Sequence, residues 1–420
     1  MKITDFKAFF AVFLGLFLSV NGLSQNHQDA GQETQTGDST GCAIGHHEAT
    51  EYDPGAVAFH HIADQNIYTL GPWHFPLPCI LYSKDQGLSV FSSSRFQIHG
   101  HHGNGENTYD GYVLTEGKVR RVNPVLYPDF PSGEVSISGF REEKRMVDGK
   151  ERTVVFACVE NQLYELESAS TADFGLFGGG FTSFYSFSIT KNVVIMIFVA
   201  LLLGWVFLSI AWRYKKREGM APRGLQSFIE PIYIFIRDDV AKSVIGPKYE
   251  RFMPFLMSIF FFILVLNLIG QVPFIGNPNV TGNLAVTLVL ALLTFLITNL
   301  NGRGNYWQHI FWMPGIPFAV KLLMTPIEII GLFLKPITLM VRLFANITAG
   351  HIVILSFVGL IFIFGKMGDS VVGGYGGAVV SVLLTLFMSA IELLVAFIQA
   401  FIFTILSASY FGMAVAEEHH

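Results

Sequence analysis

The stretch PITLMVRLFANITAGHIV, residues 336–353, sits in the most apolar third of a 420-residue chain. It holds one full positive charge, Arg342, with no acid within several residues. A guanidinium keeps its proton at every cellular pH. Placing it in lipid costs ~2.5–3.5 kcal/mol on insertion scales. The surrounding sequence decides what could offset that cost.

Outward from Arg342, residues 318–364 are almost entirely helix-compatible and apolar, a run of 47. As a helix it would be ~70 Å long, more than twice the ~30 Å of a hydrocarbon core. Residues 378–411 are also too long to cross upright. Steep tilt would fit both; so would breaks, for which Pro326, Gly331 and Pro336 are candidates. The Gly-rich 365–377 between them reads as a loop. Upstream, 252–275 and 283–300 read as a helical hairpin, and 192–212 as a first span. That span ends in Arg213, Lys215, Lys216 and Arg217, a cluster expected on the cytoplasmic side. Residues 222–244 carry an apolar stripe (Leu225, Phe228, Ile229, Ile232, Ile236, Val240, Val244) opposite Arg237, Asp238 and Asp239. They read as a helix on the cytoplasmic surface or against other cytoplasmic parts. The fold expected is a polytopic α-helical membrane protein with about five crossings, the last two long and steeply tilted. Its membrane domain covers 192–418 and its C-terminus is cytoplasmic.

The first part of the chain differs. Residues 1–24 have Lys2 and Lys7, an apolar core, and Gly22 and Ser24 near a cleavage point. They read as a signal peptide, with an uncleaved anchor as the other reading; either would export the segment from residue 25 to the first span. Residues 25–50 are polar and read as a flexible linker. Residues 51–185 hold short alternating runs (78–83, 88–98, 111–116, 133–140, 152–159) separated by Gly, Pro, Asn and Asp, the pattern of a small β-rich domain. Asp148-Gly149 suggests a hairpin turn, and 174–184 a hinge into the membrane. Of Cys42, Cys79 and Cys158, a Cys79–Cys158 pair is possible, but the odd count leaves one thiol over. His46, His47, His60, His61, His99, His101 and His102 match no zinc spacing and read as surface or linker residues; no metal site is expected. Net charge is −5 and no basic block points to nucleic acid. The Asn-x-Thr matches at Asn279 and Asn346 are treated as chance.

Two polar stripes interrupt the apolar helices. Glu328, Lys335 and Arg342 are spaced by seven, so they share one helical face, and Asn346 extends it. His351 lies nine beyond Arg342. On the last helix Glu392 and Gln399 are seven apart, with Ser389 three before Glu392. Intramembrane ionisable groups mark ion routes. Polar residues that merely hold helices together are the competing reading, weakest for Arg342.

The string KPITLMVRLFANITAGHIVIL (335–355), followed by ELLVAFIQAFIFTIL (392–406), resembles subunit a of the membrane sector of the rotary ATP synthase. The similarity covers about 192–418. It implies a proton-translocating stator subunit with two half-channels, in which Arg342 faces the rotor ring and Asn346 and Gln399 are its polar neighbours. His351 and Glu392 fall on a pair lining the outer proton path, which some members carry exchanged. Glu328 falls on an acidic position of the inner path, and Asn267 on a polar position. Two residues depart from the pattern: Gly270 stands where some members have an acid, and Met340 where a small residue is usual. The resemblance implies a ring of c subunits, peripheral-stalk b subunits, other ATP synthase subunits and the lipid bilayer as partners. It implies a bacterial inner membrane, no cofactor and no catalytic chemistry of the chain's own. The 160-residue exported domain lies outside it.

Two rivals are set aside on residues. A stand-alone channel or secondary transporter would show internal repeats or a polar pattern over several helices, but the polar residues concentrate on two. An intramembrane enzyme would need a nucleophile–base pair or metal motif, and no His-Glu-x-x-His, Gly-x-Ser-x-Gly or phosphate loop occurs.

Overall fold

The computed structural model describes residues 42, 63–70, 73–98, 103–147, 150–170, 182–272, 275–276, 278–313, 315–366 and 370–416. The signal peptide, most of the linker, the Asp148-Gly149 turn and all seven histidines weighed for a metal lie outside the described residues.

The β-rich domain contains a closed barrel. Its strands are β5 (Asn107–Tyr109), β6 (Tyr112–Thr115), β7 (Lys118–Val122), β8 (Glu134–Val147), β9 (Lys150–Val159) and β10 (Gln162–Ser168). They are ordered β10-β7-β6-β5-β8-β9, every neighbouring pair described being antiparallel. Closure removes the free edges that would otherwise invite aggregation. Alternation predicts β6, β9 and the first half of β8 but not β5, β7 or β10, and the barrel rests on long-range pairings such as Leu166 with Val122. A three-stranded sheet lies beside it: β11 (Phe184–Ser186), β3 (Pro78–Ser83) and β4 (Gly87–Ser92). Ile67, Leu81, Phe96, Tyr112, Leu114 and Phe184 form one core across the sheet and the barrel wall.

Cys158 on β9 is bonded to Cys42, so the Cys79–Cys158 pairing does not form. Cys79 points into the core from β3 and is fully buried, a position that suits a small apolar side chain and keeps it from other thiols. Burial pushes its thiol up to about 12.

The β domain enters the membrane domain without slack. The end of the expected hinge is ordered: Thr182 bonds Ser168 and Ser170, and Phe184 is buried. Beyond β11 the chain keeps pairing, Phe187 N–H to the Ile80 carbonyl and Ile189 N–H to the Pro78 carbonyl. The first span, α1 (Lys191–Lys216), starts directly after. Its N-cap, Thr190, makes no capping bond with its own side chain. Asp64 does so instead, accepting from the Asn192 amide at 3.2 Å and the Thr190 hydroxyl at 2.7 Å.

The stretch read as one surface helix is divided. An α-helix, α2 (Leu225–Phe235), runs into a π-helical stretch, Ile236–Lys242, and a final turn to Ile245. Only the second half of its apolar stripe is buried, at Ile236 and Val240; Phe228 is exposed. The hairpin comprises α3 (Tyr249–Gly270) and α4 (Leu284–Leu300), followed at 106° by α5 (Gly304–Phe311). Helix α3 is buried almost all round and forms the centre of the core, with Phe252 stacked on Phe411 and Phe207 edge-on to Phe261.

The two long segments are α6 (Phe318–Phe364) and α7 (Val371–Val415). Helix α6 runs unbroken through Pro326 and Pro336, so the proline breaks do not occur. Helix α7 starts earlier than expected, and 371–377 is helix rather than loop. Ser370 caps the Gly373 amide, and small residues let the two helices touch: a Cβ on Gly377 would lie 2.9 Å from that of Phe364. Among the described residues, four helices are long and apolar enough to cross a membrane, five if α4 and α5 form one bent span.

Candidate functional site: a polar seam between the long helices

The antiparallel packing of α6 and α7 carries the site. Ser381 donates to the Phe357 carbonyl, and Glu392 lies against Gly350. This register sets Arg342 level with 396–400, the turn that includes Gln399.

One cluster gathers near the α3–α4 connection. His351 Nδ1 lies 3.8 Å from Glu392 Oε1, with Glu392 4% and His351 14% exposed at the side chain. That distance is ion-pair range but too long for a hydrogen bond, and Glu392 Oε1 has no hydrogen-bond partner among the described residues. Gly350 makes the approach possible: a Cβ there would sit 2.7 Å from the same oxygen. Asn267 on α3 accepts from Thr281 at 2.7 Å and donates to the Ala396 carbonyl at 3.4 Å. Gln271 donates to the Glu392 carbonyl at 2.9 Å. A Cβ on Gly270 would lie 3.9 Å from His351 Nε2, so the imidazole borders the place where an acid would stand.

Gln271 and Gly350 were missed by sequence reasoning. The first could have been found, four residues after Asn267 on the same face. The second could not, since only the facing helix gives it meaning.

Arg342 is half-buried and stands apart from this cluster. It makes no hydrogen bond or ion pair among the described residues. Val341, Ala345 and Asn346 beside it are exposed, while Leu343 and Met340 face the core. Gln399 is buried, and its side chain makes no hydrogen bond among the described residues. Toward the start of α6, Lys335 lies with its Nζ 5.6 Å from the centre of the Tyr410 ring. Thr294, Thr298, Asn299 and Tyr306 line a small cleft beside it. Glu328, half-buried, is two turns further on. The structure therefore brings His351, Glu392 and Asn267 together, places Arg342 level with Gln399, and keeps Glu328 at the other end of the stripe. The exposed faces of α6 and α7 near Arg342 are mainly apolar, with Ile337, Val341, Leu393, Leu394 and Phe397 outward beside the polar Thr338 and Asn346.

The family model described as ATP synthase A chain matches residues 193–412. A second, described as a domain of unknown function (DUF8433), matches residues 57–148. ATP synthase subunit a of Chloroherpeton thalassium is 48% identical over 242 residues, covering 56% of this chain and 69% of its own. ATP synthase subunit a 2 of Prosthecochloris aestuarii is 46% identical over 242 residues, covering 56% and 71%. ATP synthase subunit a of Anaeromyxobacter sp. (strain Fw109-5) is 42% identical over 241 residues, covering 55% of each chain. The matched region contains every residue of the polar seam and the whole of both long helices up to Gly412, and on that ground the chain belongs to the ATP synthase A chain family.

Proposed function

We propose that this chain is the stator element of a two-half-channel proton path, with Arg342 as the barrier between the halves. Its family carries the coarser part: a proton-translocating role in the membrane sector, among other ATP synthase subunits. The finer reading rests on one observation. Arg342 lacks an acid partner among the described residues and sits beside an exposed apolar helix face, so its counter-charge is supplied from outside.

The chemistry follows from electrostatics. A permanent cation beside an arriving carboxylate favours the ionised form and expels its proton. The same charge repels protons that would cross directly. The drive is ~2.3 kcal/mol per charge per 100 mV. Glu392 and His351, with Asn267 beside them, supply the path on the side of the β domain; Glu328 supplies the path on the other. Asn346 and Gln399 flank the barrier. The partner bearing the carboxylate is the ring of c subunits, and peripheral-stalk b subunits hold the stator still. The chain performs no catalytic step of its own. We place it in the bacterial inner membrane, with the β domain exported after a signal peptide and the C-terminus cytoplasmic. The basic end of α1, far from the β domain, supports that orientation.

The test is Arg342→Ala in reconstituted vesicles. Gradient-driven ATP synthesis should stop and the membrane sector should leak protons, with ring assembly intact. Synthesis at wild-type rates from intact assemblies would overturn the reading.

A further inference from the structure

The β domain carries a hairpin with one apolar face that is covered at Tyr68 and exposed at Trp73 and Phe75. Strands β1 (Ile67–Leu70) and β2 (Trp73–Pro76) pair antiparallel, Tyr68 opposite Phe75 and Leu70 opposite Trp73. Directly opposed residues, and residues two apart on a strand, share a face. Tyr68, Leu70, Trp73 and Phe75 therefore form one side of the hairpin. The other side carries Ile67, which is buried in the domain core, together with Thr69 and His74. Trp73 is 65% and Phe75 48% exposed.

The level of this face is fixed by the membrane domain. The Tyr68 hydroxyl donates to the Ile275 carbonyl at 3.0 Å, in the connection after α3. Gly276 sits so close beneath the Thr69 carbonyl that any side chain there would strike it. Helix α3 has 22 residues, ~33 Å, about one hydrocarbon thickness, and ends at Gly270. Ile275 is five residues past that end. Asp64, three residues before β1, caps the start of α1. The hairpin is thus pinned to the ends of two membrane helices on one side, where acyl chains give way to headgroups. Residues 67–76 contain no Asp, Glu, Lys or Arg. Tryptophan with other aromatic and apolar side chains, uncharged and at this depth, has the chemistry of an interfacial anchor.

We propose that this hairpin docks on the lipid surface, with Trp73 and Phe75 entering the headgroup–acyl boundary of the leaflet on the β-domain side. The occupant is lipid rather than a protein: the face continues the membrane level set by Tyr68 and Ile275.

The test places nitroxide labels at Trp73→Cys, Phe75→Cys and Val125→Cys, one at a time, in the full chain assembled in phospholipid vesicles. Val125, exposed in the turn after β7, serves as the water reference. Cys79 is buried and Cys42 is bonded to Cys158, so the new thiol takes the label. At 73 and 75 the label should collide with dissolved oxygen and lose collisions with a water-soluble nickel chelate; at 125 the balance should reverse. Nickel collisions at 73 and 75 equal to those at 125 would overturn the proposal. So would loss of both kinds of collision, which marks a protein over the face. On the unsubstituted chain, a photoactivatable phospholipid should label the peptide containing Trp73, and absence of that label counts against lipid contact.

Discussion

His351 Nδ1 and Glu392 Oε1 face each other at 3.8 Å across two helices, and the bare Cα of Gly350 leaves room for the carboxylate. An acid and a base at this separation, close to a buried Asn267–Thr281 bond, need only a small side-chain approach to reach direct proton-transfer distance. If they form one relay, Glu392→Gln should slow proton-driven synthesis, and exchanging the two residues (His351→Glu with Glu392→His) should retain part of it. Normal rates in both His351→Ala and Glu392→Gln would mean that the pair only packs.

Gly350→Ala separates packing from transport. The added methyl meets the end of a carboxylate, which can swing away, so the helix should tolerate it. Intrinsic helix propensity even favours alanine by roughly 1 kcal/mol. The expected result is an assembled complex of unchanged or higher thermal stability with reduced proton flux. Loss of assembly would show that Gly350 serves close helix contact instead.

Asp64→Ala should loosen the join between the two domains. It removes the side chain that caps α1, and a lost cap costs about 1 kcal/mol. Hydrogen exchange at the amides of Asn192 and Val193 should quicken, while exchange in the barrel strands stays as it was. Unchanged exchange at Asn192 would refute the role given to Asp64.

Asp85 sets an acid limit on the β domain. Hydrogen bonding to the Arg121 guanidinium holds its carboxyl down, from 3.8 to about 2. A folded-state value below the unfolded one means that the contribution is complete above pH 3.8 and is lost as pH falls through about 2. Asp85→Asn should remove the part of the acid unfolding limb that lies between those values, followed by circular dichroism of the strands. An unaltered limb would show that the pair adds nothing.

The two long helices were legible in the sequence because each is one uninterrupted apolar run. The bounds of α6 coincide with that run, residues 318–364. The start of α7 was not, because Gly373, Gly374, Gly376 and Gly377 read as a turn in isolation. In the structure Gly365 faces Gly374, and Gly377 lies against Phe364, so absent side chains are what bring the helices together. Strands such as Pro78–Ser83 show in their alternation, but barrel closure depends on partners far apart in sequence. The site was legible as residue types. Which of them meet was decided by the register of α6 on α7; Gly350 gained its meaning only there, whereas Gln271 was within reach of the sequence, four residues after Asn267. The disulfide shows the same limit, since Cys42 lies in a polar stretch with no strand pattern to place it beside β9.

The join at residues 187–192 is hydrogen-bonded along its length: to β3, to the Gln65 carbonyl and to Asp64. A connector tied on both sides cannot swivel. In single-particle images aligned on the helices, the barrel should keep one azimuth and stay sharp. It would act as a fiducial for the orientation of the membrane helices in every image.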